Sequence, residues 1–182
     1  SQSDWVYSIF CTYSADGTKR AGHTEVYSNI GSVNTRRAMP VTLSEDASIK
    51  SISIYHQGLS DGSEMILGVY SDDSGLPGTL LGATPATVIN SSEGWQTVSL
   101  MSNVSVGSWE TVWLAFVFEN PLNIRYKAGT PGRAASTATW SGGIPTSFGS
   151  SSQSDWVYSI YCTYSGEGLK QAGHTEIYSN IG

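Results

Sequence analysis

The residues best equipped for chemistry are aromatic and cationic. Trp140 stands in a segment rich in Gly, Ser, Thr and Pro, residues 129–150, and Arg125, Tyr126 and Arg133 lie close to it in sequence. A sugar ring offers an apolar C–H face that stacks on an indole or a phenol, and its hydroxyls are met by Arg. Ligand sites in general join aromatic walls to a few polar groups. Trp140, Arg125, Tyr126 and Arg133 are therefore the candidate ligand-binding set. A second reading makes Trp140 a plug for the end of the fold beneath its own loop, and the sequence leaves both open. Trp113, Tyr70 and Phe116 read as core, whereas Trp95 suits either a core or a surface role.

Acidic residues offer a second chemistry. Asp72 and Asp73 sit in a Gly- and Pro-containing turn, where clustered carboxylates and carbonyls can hold a structural calcium ion. Turn-forming aspartates account for the same residues without a metal. No other cofactor is indicated. Catalytic patterns are lacking: there is no G-x-S-x-G elbow and no H-E-x-x-H. Glu110 and Glu119 bracket a strand, too far apart to act as paired carboxylates. The chain is accordingly read as not an enzyme. Cys11 and Cys162 each read as a buried thiol packing as a small apolar group.

Composition narrows the class. The 182 residues include only 13% charged residues, with 39% hydrophobic, 11% aromatic and 20 Gly. This polar, Gly- and aromatic-rich balance is typical of secreted β-proteins, and its apolar content suffices to order a core. Nine Lys+Arg against fifteen Asp+Glu give a net charge of −6, which repels a nucleic-acid backbone. The longest apolar run, Val112 to Phe118, is too short to cross a bilayer as a helix.

An internal repeat sets the organisation. Residues 1–31 and 152–182 match at 25 of 31 positions with an offset of 151. The differences are Phe10/Tyr161, Ala15/Gly166, Asp16/Glu167, Thr18/Leu169, Arg20/Gln171 and Val26/Ile177. The period is domain-sized, longer than that of a solenoid. The expected division is residues 1–21 as the last strand and linker of a preceding repeat, 22–165 as one complete module, and 166–182 as the linker and first strand of the next. The linker is read as Ala15 to Ala21 and its copy Gly166 to Ala172. The surplus terminal strands would then pack on neighbouring repeats or chains, because ordering a strand without burial is costly.

The elements that must position these residues are strands. Short runs alternate with period two at Ile49–His56, Trp95–Leu100 and Trp156–Tyr164, and Met65–Tyr70 reads as a more buried strand. Glu110–Glu119 is apolar on both faces at its centre and should be a central strand. Asp72 to Gly78 should form a tight connection with Gly75 or Gly78 at positive φ. Eight to ten strands and no convincing helix predict an all-β, antiparallel, jelly-roll-like β-sandwich. Residues 129–150 are expected to be a long loop, either functional or packed on itself.

The run Gly68-Val69-Tyr70-Ser71-Asp72-Asp73-Ser74-Gly75-Leu76-Pro77-Gly78-Thr79-Leu80-Leu81, then Gly94-Trp95-Gln96-Thr97-Val98, then Glu110-Thr111-Val112-Trp113-Leu114-Ala115, resembles the β-sandwich modules repeated in large secreted or surface-anchored bacterial proteins. The resemblance spans roughly residues 48–128. Similar jelly rolls accompany carbohydrate-active enzymes as non-catalytic modules. The resemblance implies a secreted or cell-surface module that binds carbohydrate or another extracellular surface. The alternative is a structural spacer or filament-forming module that assembles through terminal strand exchange.

Overall fold

The computed structural model describes residues 17–166. The surplus copies, residues 1–16 and 167–182, and with them Cys11, lie outside the described residues. The fold is all-β. Its strands are β1 (Thr18–Gly22), β2 (Asn29–Val33), β3 (Arg37–Thr42), β4 (Ala47–His56), β5 (Glu64–Asp73), β6 (Leu76–Ala83), β7 (Thr87–Val88), β8 (Gly94–Val106), β9 (Thr111–Phe118), β10 (Leu122–Ala135), β11 (Ser152–Tyr158) and β12 (Ile160–Gly166). Twelve strands exceed the expected eight to ten. Those added are short, or lack clear alternation, as in β2, β7 and the Pro-containing β3. The only helix among the described residues is a single 3-10 turn, Trp140–Gly142, so no helix there is long and apolar enough to cross a membrane.

All pairings are antiparallel. One layer runs β1-β12-β4-β8 and the other β3-β9-β5-β6. The long β10 links them, pairing with β2 and β11 along its length and with β3 at its end. At the opposite side β6 comes close to β8: a Cβ on Gly82 would lie 2.5 Å from Val104 Cγ2. The inner faces form one core, with Ile52, Ile54, Cys162 and Val98 from the first layer and Leu67, Val69, Leu114 and Phe116 from the second. Cys162 is buried and unpaired, and burial pushes its thiol up to about 12. It packs as the small apolar group expected.

β9 lies between β3 and β5, and it is buried on both faces as its sequence predicts. A row of small residues, Ala38, Ala115 and Gly68, crosses its outer face. The loop after β10 settles there. A Cβ on Gly68 would lie 2.9 Å from Ile144 Cγ2, so a larger residue would lift the loop. Phe148 is fully buried in this second core with Tyr70, Trp113 and Ala134, and meets Tyr70 edge-on at 5.3 Å. Arg36 ties the loop down. Its guanidinium lies over the Phe148 ring and donates to the carbonyls of Gly143 (3.0 Å) and Phe148 (2.6 Å). Tyr70 Oη donates to the Pro145 carbonyl at 2.6 Å.

The turn from β5 to β6 has two residues, Ser74 (φ 55) and Gly75 (φ 86). Two successive positive φ angles match a type I′ hairpin, whose twist suits the flanking strands. Gly75 thus takes the conformation expected of it. Two boundaries differ from expectation. Residues 129–135 continue β10 instead of opening the loop. Thr18–Ala21, read as linker, belong to β1, because Ala21 packs on the core and Lys19 pairs with Glu45.

If the loop is a second core, Phe148→Ala should cost about 3–5 kcal/mol, as expected for a fully buried Phe. Urea unfolding checks this. A loss below about 1 kcal/mol would mean that the loop merely lies on the surface.

Candidate ligand-binding groove

The outer face of the β3-β9-β5 layer is only partly covered. Beyond the small-residue row the next residues outward are Pro40, Trp113 and Tyr70, and then Thr42 and Thr111. The loop covers Tyr70 but stops short of Pro40 and the threonines, and there a groove of about 530 Å³ opens. Its floor is Pro40, Trp113 and the two threonines, and its rim is His23, Asp72, Gly75, Pro131 and Gln153. That volume is in the range of small-molecule sites.

Its polar groups are held by the fold. Asp72 accepts from the Trp113 indole N–H (2.7 Å) and from the Gly75 amide (3.0 Å). Gln153 Nε2 donates to the Gly75 carbonyl at 2.7 Å, tying β11 to the hairpin. The Thr42 and Thr111 hydroxyls lie 2.7 Å apart across the strands. Such a set of carboxylate, amide and hydroxyls on a rigid sheet suits a ligand rich in hydroxyls.

Trp109 stands two residues before Thr111, at the end of the same strand pair, where its amide donates to the Leu43 carbonyl. Its φ is 62 and its side chain is 75% exposed. A left-handed conformation costs an L-residue about 1 kcal/mol or more, and Gly or Asn is the usual choice there. A tryptophan in that place adds nothing to the core. Sequence reasoning misses it because it follows a turn and precedes an obvious strand; its only signal is an aromatic where a turn residue belongs.

The four residues singled out from the sequence are not gathered at one point. Tyr126 and Arg133 meet at Trp156: Tyr126 stacks on the indole at 4.3 Å and the Arg133 guanidinium lies 4.4 Å from its centre. Arg133 also donates to Tyr158 Oη (2.6 Å) and Ser154 Oγ (2.8 Å). Arg125 instead pairs with Glu93 at 2.6 Å, and Glu93 accepts from Tyr55 Oη at 3.2 Å. Trp140 is half-buried in the 3-10 turn of the covering loop. Asp73 accepts only a long bond from Ser74 Oγ, 3.4 Å, and no three acidic, His or Cys side chains gather as a metal site among the described residues.

A second aromatic surface lies on the outer face of the other layer. Trp95 packs between Tyr55 (5.5 Å) and Tyr161 (4.8 Å), and Arg20 lies over Tyr161 at 5.0 Å. Beneath it, His56 and Gln96 anchor β4 to β8. His56 Nδ1 accepts from the Gly58 amide (3.0 Å), so its Nε2–H donates to Gln96 Oε1 (2.9 Å). The same Gln96 oxygen accepts from the Asn90 amide at 2.8 Å.

No protein-family model and no curated protein sequence matches the chain. Among solved structures it resembles the clostridial cysteine protease Cwp84 after propeptide cleavage, with a TM-score of 0.63 at 10% identity. The likeness covers 85% of this chain and 42% of that one, so this chain spans less than half of its neighbour's length. It shows the shared sandwich-like fold. A slighter likeness, TM-score 0.37 at 11% identity over 84% of this chain and 33% of the other, is to infectious bursal disease virus Gx strain. The first likeness corrects one expectation. The sequence reads as no enzyme, yet its fold occurs within a protein named a protease, so such a fold does not set a chain apart from enzymes. At 10% identity the likeness assigns this chain no reaction.

Burial lowers the pKa of His56, and it is the largest cause of the lowering at His23 as well. The folded state thus favours neutral rings, and that stability is present in full above the ordinary His value near 6.5 and lost as pH falls below it. The lowered carboxyls of Asp61 and Glu93 act only at still lower pH. The urea midpoint should therefore fall from about pH 7.5 to about pH 5, and His56→Gln should flatten that slope. A midpoint constant over this window would contradict the preference of the folded state for neutral histidine rings.

Proposed function

We propose that the chain is a module of a secreted or cell-surface protein that binds carbohydrate or another hydroxyl-rich extracellular surface. The binding surface is the groove over Thr42, Thr111, Asp72 and Gln153, extended toward Trp109, which lies two residues before Thr111 in the chain. The observation that carries this reading is Trp109: a side chain that is 75% exposed and held at φ 62 serves neither the core nor the turn. Strained residues gather where the strain serves a function. An oligosaccharide would stack one ring on this indole and offer the hydroxyls of its further rings to the threonines, the carboxylate and the amide of the groove. The low charge and Gly-, Ser- and Thr-rich composition support an extracellular setting, as does the resemblance of residues 48–128 to repeated surface modules.

Glycan-array binding of the full chain tests the reading. Trp109→Gly should leave stability unchanged or raise it by up to about 1 kcal/mol, since glycine adopts positive φ freely, while abolishing binding. Thr111→Val should weaken binding, and Trp140→Ala should retain it. Binding that survives Trp109→Gly but is lost in Trp140→Ala would move the site to the covering loop. An intact chain that binds no glycan would count against carbohydrate as the ligand.

A further inference from the structure

We infer that the edge of β12 away from β4 is an exchangeable strand slot, occupied by β1 in the described structure and able to take residues 169–173, the second copy of β1, in the same register. The inference is independent of the groove. It begins with the pairing of the two ends of the described span: Thr18 lies opposite Ser165, Arg20 opposite Thr163 and Gly22 opposite Tyr161. Moving each β12 partner back by the repeat offset of 151 gives Ser14, Thr12 and Phe10. Those are the pairs of a local hairpin closed by Ala15, Asp16 and Gly17. By the same shift, residues 169–173 would meet β12 as a hairpin closed by Gly166, Glu167 and Gly168. The long-range pairing therefore has the register that a hairpin within one repeat copy would have.

Gly17 supplies a second observation. Three-residue hairpin loops commonly end on a left-handed glycine. Gly17 has φ 69, and a Cβ there would meet nothing within 4 Å among the described residues, so it is the backbone conformation and not lack of space that favours glycine. Gly168 is its copy.

The slot also selects what can enter it. At Gly22, φ is 113 and a Cβ would lie 2.8 Å from the Ile160 carbonyl oxygen, which demands glycine; the copy has Gly173. Ala21 packs on the core, and the copy has Ala172. Lys19 pairs with Glu45 at 2.7 Å, and the copy has Lys170. The differing positions are Thr18/Leu169, half-buried, and Arg20/Gln171, where Arg20 is exposed and only its guanidinium over Tyr161 is given up. Closing a three-residue loop also costs less chain entropy than joining strands a module apart. Once displaced, β1 can pair in the same register with residues 10–14, the copy of β12, or with β12 of another chain. Consecutive repeats thus compete for one slot and can be linked through it.

Disulfide trapping in the full chain tests this, in a Cys11→Ala, Cys162→Ala background. Thr163→Cys is combined either with Gln171→Cys or with Arg20→Cys, and the bridges are mapped by mass spectrometry after oxidation. The slot predicts a bridge between positions 163 and 171. It also predicts loss of that bridge on adding Gly173→Val, with a matching gain in the 20–163 pair. A 163–171 bridge untouched by Gly173→Val would reflect mere nearness in sequence and overturn the inference, as would a bridge only between positions 20 and 163. Hydrogen exchange on the chain with its native cysteines gives a second readout. The amides of Lys170 and Ala172, copies of the β1 positions whose N–H groups the register turns toward β12, should be protected, and Gly173→Val should remove that protection; unprotected amides at these two positions in the parent chain would overturn the inference.

Discussion

Burying both faces of β9 is the constraint on which the rest of the structure depends. An antiparallel strand in a sandwich ordinarily shows one face to water. Here Val112, Leu114, Phe116 and Phe118 enter the main core while Trp113, Ala115 and Val117 face outward, and all are buried. An apolar outer face needs a cover. The loop after β10 provides it, through Phe148 and Ile144 seated over Ala38, Ala115 and Gly68. Arg36 makes the cover specific, because its guanidinium is almost fully buried and directs two of its N–H groups at loop carbonyls. A buried cation without those acceptors would be strongly destabilising.

The cover stops short, and the groove follows from where it stops. The row containing Trp113 is roofed on one side by Phe148 and open on the other. The open side is edged by the type I′ hairpin, by Gln153 and by the bend of β10. Asp72 bridges turn and floor, since one oxygen accepts from Gly75 and the other from Trp113. The groove is thus built from the elements that hold the sheet together. Trp109 is the exception, since no packing or turn requirement accounts for it.

The strand content, the buried centre of Glu110–Glu119 and the Ser74–Gly75 turn were legible in the sequence because each rests on local chemistry: alternation, two-sided apolarity, a glycine between polar residues. Trp95, which the sequence left open between core and surface, lies half-buried between Tyr55 and Tyr161 on the outer face of its layer. The grouping of Arg125 with Tyr126 was not legible. Adjacent residues on a strand point to opposite faces, so Arg125 reaches Glu93 while Tyr126 reaches Trp156. The extension of β10 through Pro131 was hidden by its Gly and Pro content. β1 was hidden by its charges: Lys19 and Arg20 read as linker residues, and only the distant Glu45 and Tyr161 explain them.

The proposed ligand surface is the uncovered end of the β3-β9-β5 face together with the exposed Trp109. The most direct measurement is 19F NMR of the chain labelled with 5-fluorotryptophan, its resonances assigned by single substitutions, during titration with soluble cell-surface oligosaccharides. The Trp109 resonance should shift saturably, with a smaller response at Trp113 beneath the groove, while Trp140 and Trp156 stay in place. A saturable shift at Trp140 or Trp156 with Trp109 unmoved would contradict this placement of the site.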